Sequence, residues 1–168
     1  MEEKVVRRDW HVAPQGDEAL NAAAVEFFIR YARMEYALKA ADFLVRENGR
    51  AEANWPKLAS EIHDRFSALA ASDEDLGEAC TFLRHAPPKK QIVENGILRW
   101  SDSPPNAATD TELLLRYVSR VRNNLFHGGK FNGRWLAPER SADLLPRCAL
   151  IMDACLTVSD NLREAYLS

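Results

Sequence analysis

The chain has 168 residues, 46% of them hydrophobic, enough to bury a core and few enough to predict a single domain over 1–168. Its formal charge is −3, from 22 Lys and Arg against 25 Asp and Glu, which excludes a global pull on nucleic acid and leaves only a local patch to provide one. No apolar run reaches the ~18 residues of a membrane span, and Met1 to His11 is charged without the apolar stretch of a signal peptide, so a soluble cytoplasmic protein without a membrane partner is expected.

Beyond an N-terminal extension over 1–16, a helical pattern runs from about Asp17 to Asn48, with Leu20, Ala24, Phe27, Phe28, Tyr31, Leu38 and Val45 recurring at helical spacing and Asn48-Gly49 as the stop. A second helix is predicted to start at Asn54, with Pro56 in its first turn and Leu58, Ile62, Phe66 and Leu69 as its apolar stripe. Ser72 with Asp75 reads as a capping box for a short third helix ending near His85.

Residues 86–106 break the helical grammar. Pro87, Pro88, Pro104 and Pro105 bracket Gln91 to Trp100, and Asn95-Gly96 sits between two short apolar pairs, which predicts a loop or a small β-hairpin with a type I′ turn. Lys89, Lys90, Arg99 and Trp100 give this insert a basic and aromatic character, read either as a surface that stacks on a nucleotide or as a solvated loop anchored by one Trp.

Thr109 and Glu112 form another capping box, opening a helix that should run to about His127 before Gly128 and Gly129 end it. A last segment from about Pro138 carries Ile151, Cys155, Val158 and Leu162 on one stripe, with Pro146 either kinking it or lying in its first turn. The sum is an all-α fold, an up-and-down bundle of four to five helices with the 86–106 insert. Cys80, Cys148 and Cys155 are odd in number and lack any CxxC or Cys/His ligand spacing, so they read as core residues, and neither a metal nor another cofactor is expected. His11, His63 and His85 have no motif context, and Glu35 with Lys39 reads as an i,i+4 surface pair.

The helix after Thr109 carries the chemistry. At about 100° per residue, Leu114, Tyr117, Val118, Val121 and Leu125 share a core face, while Arg116, Arg120, Asn123 and His127 follow the spacing i, i+4, i+7, i+11 on roughly the opposite side. Arg122 falls between the two, about 140° from His127, so aiming both groups at one atom takes either a long flexible side chain or a second copy of the helix. Residues 111–135 hold Arg116, Arg120, Arg122, Lys130 and Arg134 against Glu112 alone, net +4 in a chain whose total is −3. Arginines hold a phosphate ester by charge-assisted bonds and an imidazole exchanges a proton near neutral pH, which are the two requirements of metal-free RNA cleavage. From periodicity alone, a solvated arginine stripe with a histidine at the helix C-terminus fits as well.

The string Val121-Arg122-Asn123-Asn124-Leu125-Phe126-His127-Gly128-Gly129-Lys130 resembles the signature of the HEPN superfamily, an arginine followed after four to six residues by histidine, here with four and with the usual polar residue after the arginine. The resemblance implies a helical bundle in which two such motifs face each other across a homodimer cleft. It also implies a metal-independent endoribonuclease of a toxin, phage-defence or RNA-processing system, with an antitoxin or other defence protein as a possible partner. The catalytic residues it implies are His127 as general acid or base, Arg122 stabilising the phosphate charge and Asn123 as an orienting group, with Arg116, Arg120, Lys130 and Arg134 binding RNA. Some family toxins carry a tyrosine two residues after the histidine, modified by a partner nucleotidyltransferase; Gly129 stands there in this chain, which argues against control by that route. The alternatives are a non-catalytic HEPN module that binds RNA or a protein, and a structural dimerisation domain.

Overall fold

The computed structural model describes residues 17–46, 49–126 and 137–168. Helix α1, Glu18–Ala40, starts where the Asp17 carboxylate accepts the Leu20 N–H at 2.8 Å, satisfying one of the donors that a helix start leaves open. It buries Leu20, Phe27, Tyr31, Met34, Ala37 and Leu38. It stops well before Asn48: the Phe43 N–H returns to the Leu38 carbonyl at 2.8 Å around Asp42, whose φ is 67°. This is a Schellman-type ending, with an aspartate in the left-handed position that glycine more often fills. It drives Phe43 into the core and releases Leu44–Val45 as β1, paired antiparallel with β2, Glu52–Ala53. Val45, which fits the helical spacing, is therefore a strand residue.

Helix α2, Trp55–Ser72, begins as its sequence predicts, with the Asn54 side chain accepting the Lys57 N–H and Pro56 in the first turn. The cap of α3, Glu74–His85, lies one residue from the expected place. Asp73 accepts the Leu76 N–H at 2.9 Å, whereas the Ser72 hydroxyl donates back to the carbonyls of Ala68 and Leu69 and belongs to the last turn of α2. The α2–α3 corner is tight: a Cβ on Gly77 would stand 2.9 Å from the Ala70 carbonyl oxygen.

The insert is a hairpin of β3, Lys90–Glu94, and β4, Ile97–Ser101, with Val93 opposite Leu98 and Gln91 opposite Trp100. Asn95 at φ 51° and Gly96 at φ 75° supply the two left-handed positions of a type I′ turn. After it come α4, Asp110–Phe126, α5, Pro138–Val158, and α6, Asp160–Leu167. The last segment is two helices because Ser159 is extended, its buried hydroxyl donating to the Asn161 side chain. Pro146 lies inside α5 at an exposed position.

α5 is the centre of the bundle, packing on α1, α2, α3, α4 and α6, and α2 packs on both α3 and α4. One continuous core joins Phe27 and Leu38 of α1, Ile62 and Phe66 of α2, Leu83 of α3, Leu114 and Val118 of α4, Ile151 of α5 and Leu162 of α6. Cys80, Cys148 and Cys155 are buried in it as free thiols, and burial raises each thiol above its ordinary pKa. The described residues thus form an all-α bundle of six helices with two small hairpin sheets, and none of the described helices is long and apolar enough to cross a membrane.

The one-residue difference in the α3 cap is open to a direct check. Asp73→Ala should lower stability by about 1 kcal/mol in urea denaturation, whereas Ser72→Ala should stay within about 0.5 kcal/mol of wild type.

Candidate functional site at the end of α4

α4 starts from the capping residues that its sequence announces, with a changed partner. The Thr109 hydroxyl accepts the Glu112 N–H at 3.1 Å, but the Glu112 carboxylate reaches the N–H of Ala108, at 2.9 Å, and not that of Thr109. Its other oxygen accepts from Arg116 Nε at 2.8 Å. The Ala108 hydrogen bond and then the Arg116 guanidinium hold this buried carboxyl below the usual glutamate pKa, outweighing the opposing effect of burial.

The buried side of the helix is Thr111, Leu114, Leu115, Tyr117, Val118 and Val121, with Leu125 half-buried against the core. On the polar side, Arg116 is paired with Glu112 at 2.6 Å. Arg120 donates to the carbonyls of Ser103 at 2.8 Å and Pro88 at 3.4 Å, which fastens both flanks of the hairpin to α4. Asn124 adds a third tie, its amide donating to the Lys89 carbonyl at 2.9 Å from a buried position. Sequence reasoning assigned Asn124 no role, since a buried amide on the third face of a helix is visible only once its acceptor is in place.

Arg122 is half-buried and points towards α1. Its guanidinium carbon lies 5.0 Å from the ring centre of Phe126 and 5.5 Å from that of Tyr31, within cation–π range of both. Nη1 donates to Asn123 Oδ1 at 2.9 Å, while Nε is buried with no hydrogen-bond partner among the described residues. No described carboxylate forms an ion pair with it, in contrast to Arg30, Arg84, Arg116 and Arg163. The arginine side chain thus reaches Asn123 on the polar stripe, while the gap expected between Arg122 and His127 lies outside the described residues.

The support beneath Arg122 is itself fixed. Tyr31 stacks on Trp55 at 5.3 Å and its phenol meets Ser119 Oγ at 3.1 Å. Because the Ser119 proton is directed to the Leu115 carbonyl, the phenol is the donor in that pair. Burial pushes the Tyr31 pKa up to about 12, so the donor keeps its proton across the physiological range. Phe126 stacks in turn on Phe28 at 5.7 Å, and both rings are largely exposed, next to Val25 and Ile29 on the outer face of α1.

An open cleft of about 900 Å³ lies beside Asn123, between the start of α2, the hairpin and α4. Trp55, Lys90, Gln91, Asn106, Arg116 and Arg120 are among its lining residues. Of the basic side chains singled out in the insert, Lys89 pairs with Asp102 and Arg99 with Glu94, and Trp100 faces a separate cavity of about 670 Å³ with Arg140. The site therefore brings Arg122 and Asn123 together and sets Arg116 and Arg120 along the cleft wall, while His127, Lys130 and Arg134 lie outside the described residues. Among the described residues, no cluster of His, Cys, Asp or Glu is arranged to hold a metal ion.

No family model matches the chain, and no curated protein or solved structure matches it either.

The depressed pKa of Glu112 has a definite consequence for stability. Glu112→Gln should cost about 1–3 kcal/mol at neutral pH. Since the folded pKa is below the ordinary 4.5, the advantage of wild type is present above that value and lost as pH falls through the folded pKa. Urea denaturation of both proteins between pH 7 and pH 3 should show the two curves converging at the acid end.

Proposed function

We propose that this chain is a HEPN-type, metal-independent endoribonuclease that works as a cytoplasmic homodimer, a toxin or an effector of phage defence or RNA processing. The observation that carries this reading is the state of Arg122, five positions before His127 in the sequence: a half-buried cation with no described carboxylate partner, clasped by two rings and bonded to Asn123. An arginine kept only for stability would be expected to have its charge met by an acid or its donors met by carbonyls, as Arg116 and Arg120 have. Arg122 has only the Asn123 amide oxygen and two ring faces among the described residues, which leaves its charge open to an incoming anion.

The reaction needs little more. The 2′-oxygen of a ribose bonds to the adjacent phosphorus as the bond from phosphorus to the 5′-oxygen breaks; one proton leaves the 2′-hydroxyl and another reaches the departing oxygen. His127 serves as the acid or base in this exchange and Arg122 meets the charge that builds on the phosphoryl oxygens. Asn123 fixes the Arg122 guanidinium through the 2.9 Å bond and offers its amide to a phosphate oxygen or to the imidazole.

The same corner of the fold supports the homodimer reading. Val25, Phe28, Ile29 and Phe126 expose apolar surface immediately beside Arg122, a patch that suits a second copy bringing its own motif opposite the first. An antitoxin or another defence protein is a further candidate partner, reached by some means other than modification at position 129, which is glycine.

RNA digestion in the presence of chelator is the direct test. His127→Ala should lower the cleavage rate by about 10²- to 10⁴-fold, with Arg122→Ala comparably impaired. Undiminished cleavage by purified His127→Ala protein would sink the assignment. Binding of RNA by wild type without cleavage would leave a non-catalytic module.

A further inference from the structure

Resting on the RNA-cleaving reading of Arg122 and Asn123, we propose that the cleft between the start of α2, the hairpin and α4 is a subsite for unpaired nucleotides of the RNA, so that the protein acts on single strands. Asn123 belongs to both places: it is bonded to Arg122 and forms part of the cleft wall, so a strand whose phosphate meets Arg122 passes directly into the cleft.

The lining has the chemistry of a nucleotide site. Lys90, Gln91 and Asn106 border the cleft, and none of their side chains has a hydrogen bond or ion pair among the described residues, which leaves an ammonium and two amides open to a ligand. Lys90, Arg116 and Arg120 against Glu112 give the wall an excess of two positive charges, in a protein that is negative overall. Trp55 adds a half-buried aromatic ring to the lining, held in orientation by its stacking on Tyr31. A π-face accepts any base, and side-chain amides read the edges of bases that are splayed out of a helix.

Shape decides between unpaired and paired RNA. A concave site of about 900 Å³ is at the upper end of the ~300–1,000 Å³ of small-molecule sites, with room for about two nucleotides. In a duplex the bases are stacked inside and present no free face to Trp55, and the A-form surface is recognised by shape over a long span and not by insertion into a pocket.

Full-length protein and a fluorescein-labelled eight-nucleotide 2′-O-methyl RNA, which lacks the attacking hydroxyl, test this by anisotropy without cleavage. The single strand should bind at least about 10-fold tighter than the same sequence in a blunt duplex, and Trp55→Ala should weaken it about 5- to 150-fold, the worth of one base stack. Because Trp55→Ala also removes a neighbour of Tyr31, Lys90→Glu and Gln91→Ala on the hairpin provide an independent arm, each expected to weaken binding several-fold in a protein with unchanged melting temperature. Equal affinity for duplex and single strand, or wild-type affinity in all three variants, would overturn the subsite, and tighter binding of the corresponding DNA strand would overturn its assignment to RNA. The two readings fail separately. Cleavage of single and paired RNA alike, with Lys90→Glu and Gln91→Ala unimpaired, removes the subsite and leaves the catalysis; Trp55-dependent binding without any cleavage removes the catalysis and leaves the subsite.

Discussion

α4 has no idle face, and the arrangement of everything near the candidate site depends on that constraint. One side of the helix is packed against α2 and α5 through Leu114, Val118 and Val121. Its other side carries Arg120 and Asn124, which between them take up the carbonyls of Pro88, Lys89 and Ser103. A helix gripped by a core and by the two flanks of a hairpin has little freedom to rotate or slide, so the groups at its end are placed to within side-chain motion alone. Catalytic and binding constellations benefit from such rigid placement, because misplacement by about 1 Å forfeits much of the advantage of proximity.

The same helix gathers basic side chains in a chain with net charge −3, since Arg116, Arg120 and Arg122 all belong to it. Most of the arginines among the described residues are neutralised where they stand, for example Arg30 by Asp153, Arg84 by Asp110 and Arg163 by Asp160. Exposed pairs of that kind contribute at most ~1 kcal/mol each to stability, but they do remove cations from the far field. Arg122 between its rings and Lys90 at the cleft have no such acid partner among the described residues. Selectivity of position, and not total charge, carries the electrostatic argument.

The helices were legible wherever a cap and a stripe agreed, as at Asn54 and Thr109, and the hairpin wherever turn chemistry was explicit, as at Asn95-Gly96. Legibility failed where two local signals competed. Ser72 and Asp73 are both good cap residues one position apart, and only packing of α2 on α3 decides which of them acts. Val45 satisfies a period of 3.6 from Leu38 as well as it satisfies a strand, and the left-handed turn at Asp42 that separates them has no glycine to announce it. At the site, Arg122 and Asn123 were singled out by resemblance to a family signature, and the surroundings that give Arg122 its character were not legible at all. Tyr31 lies some ninety positions earlier in the chain, and Trp55 and Gln91 reach the same cleft from two further elements, so no local pattern could have joined them.

The hairpin is fixed at its base and free at its tip. The ties run from α4 to Pro88, Lys89 and Ser103, all outside the paired strands, whereas Val93, Ile97 and Leu98 at the far end are exposed. Strands alternate faces with a period of two, so adding one residue to each strand would turn the tip over, and adding two would extend it with its faces preserved. Length variation in even steps is thus structurally inexpensive, and it alters the depth of one cleft wall without touching the helix that holds Arg122. The fold separates a fixed anchor from an adjustable blade, so one side of the cleft can be lengthened while α4 keeps its place.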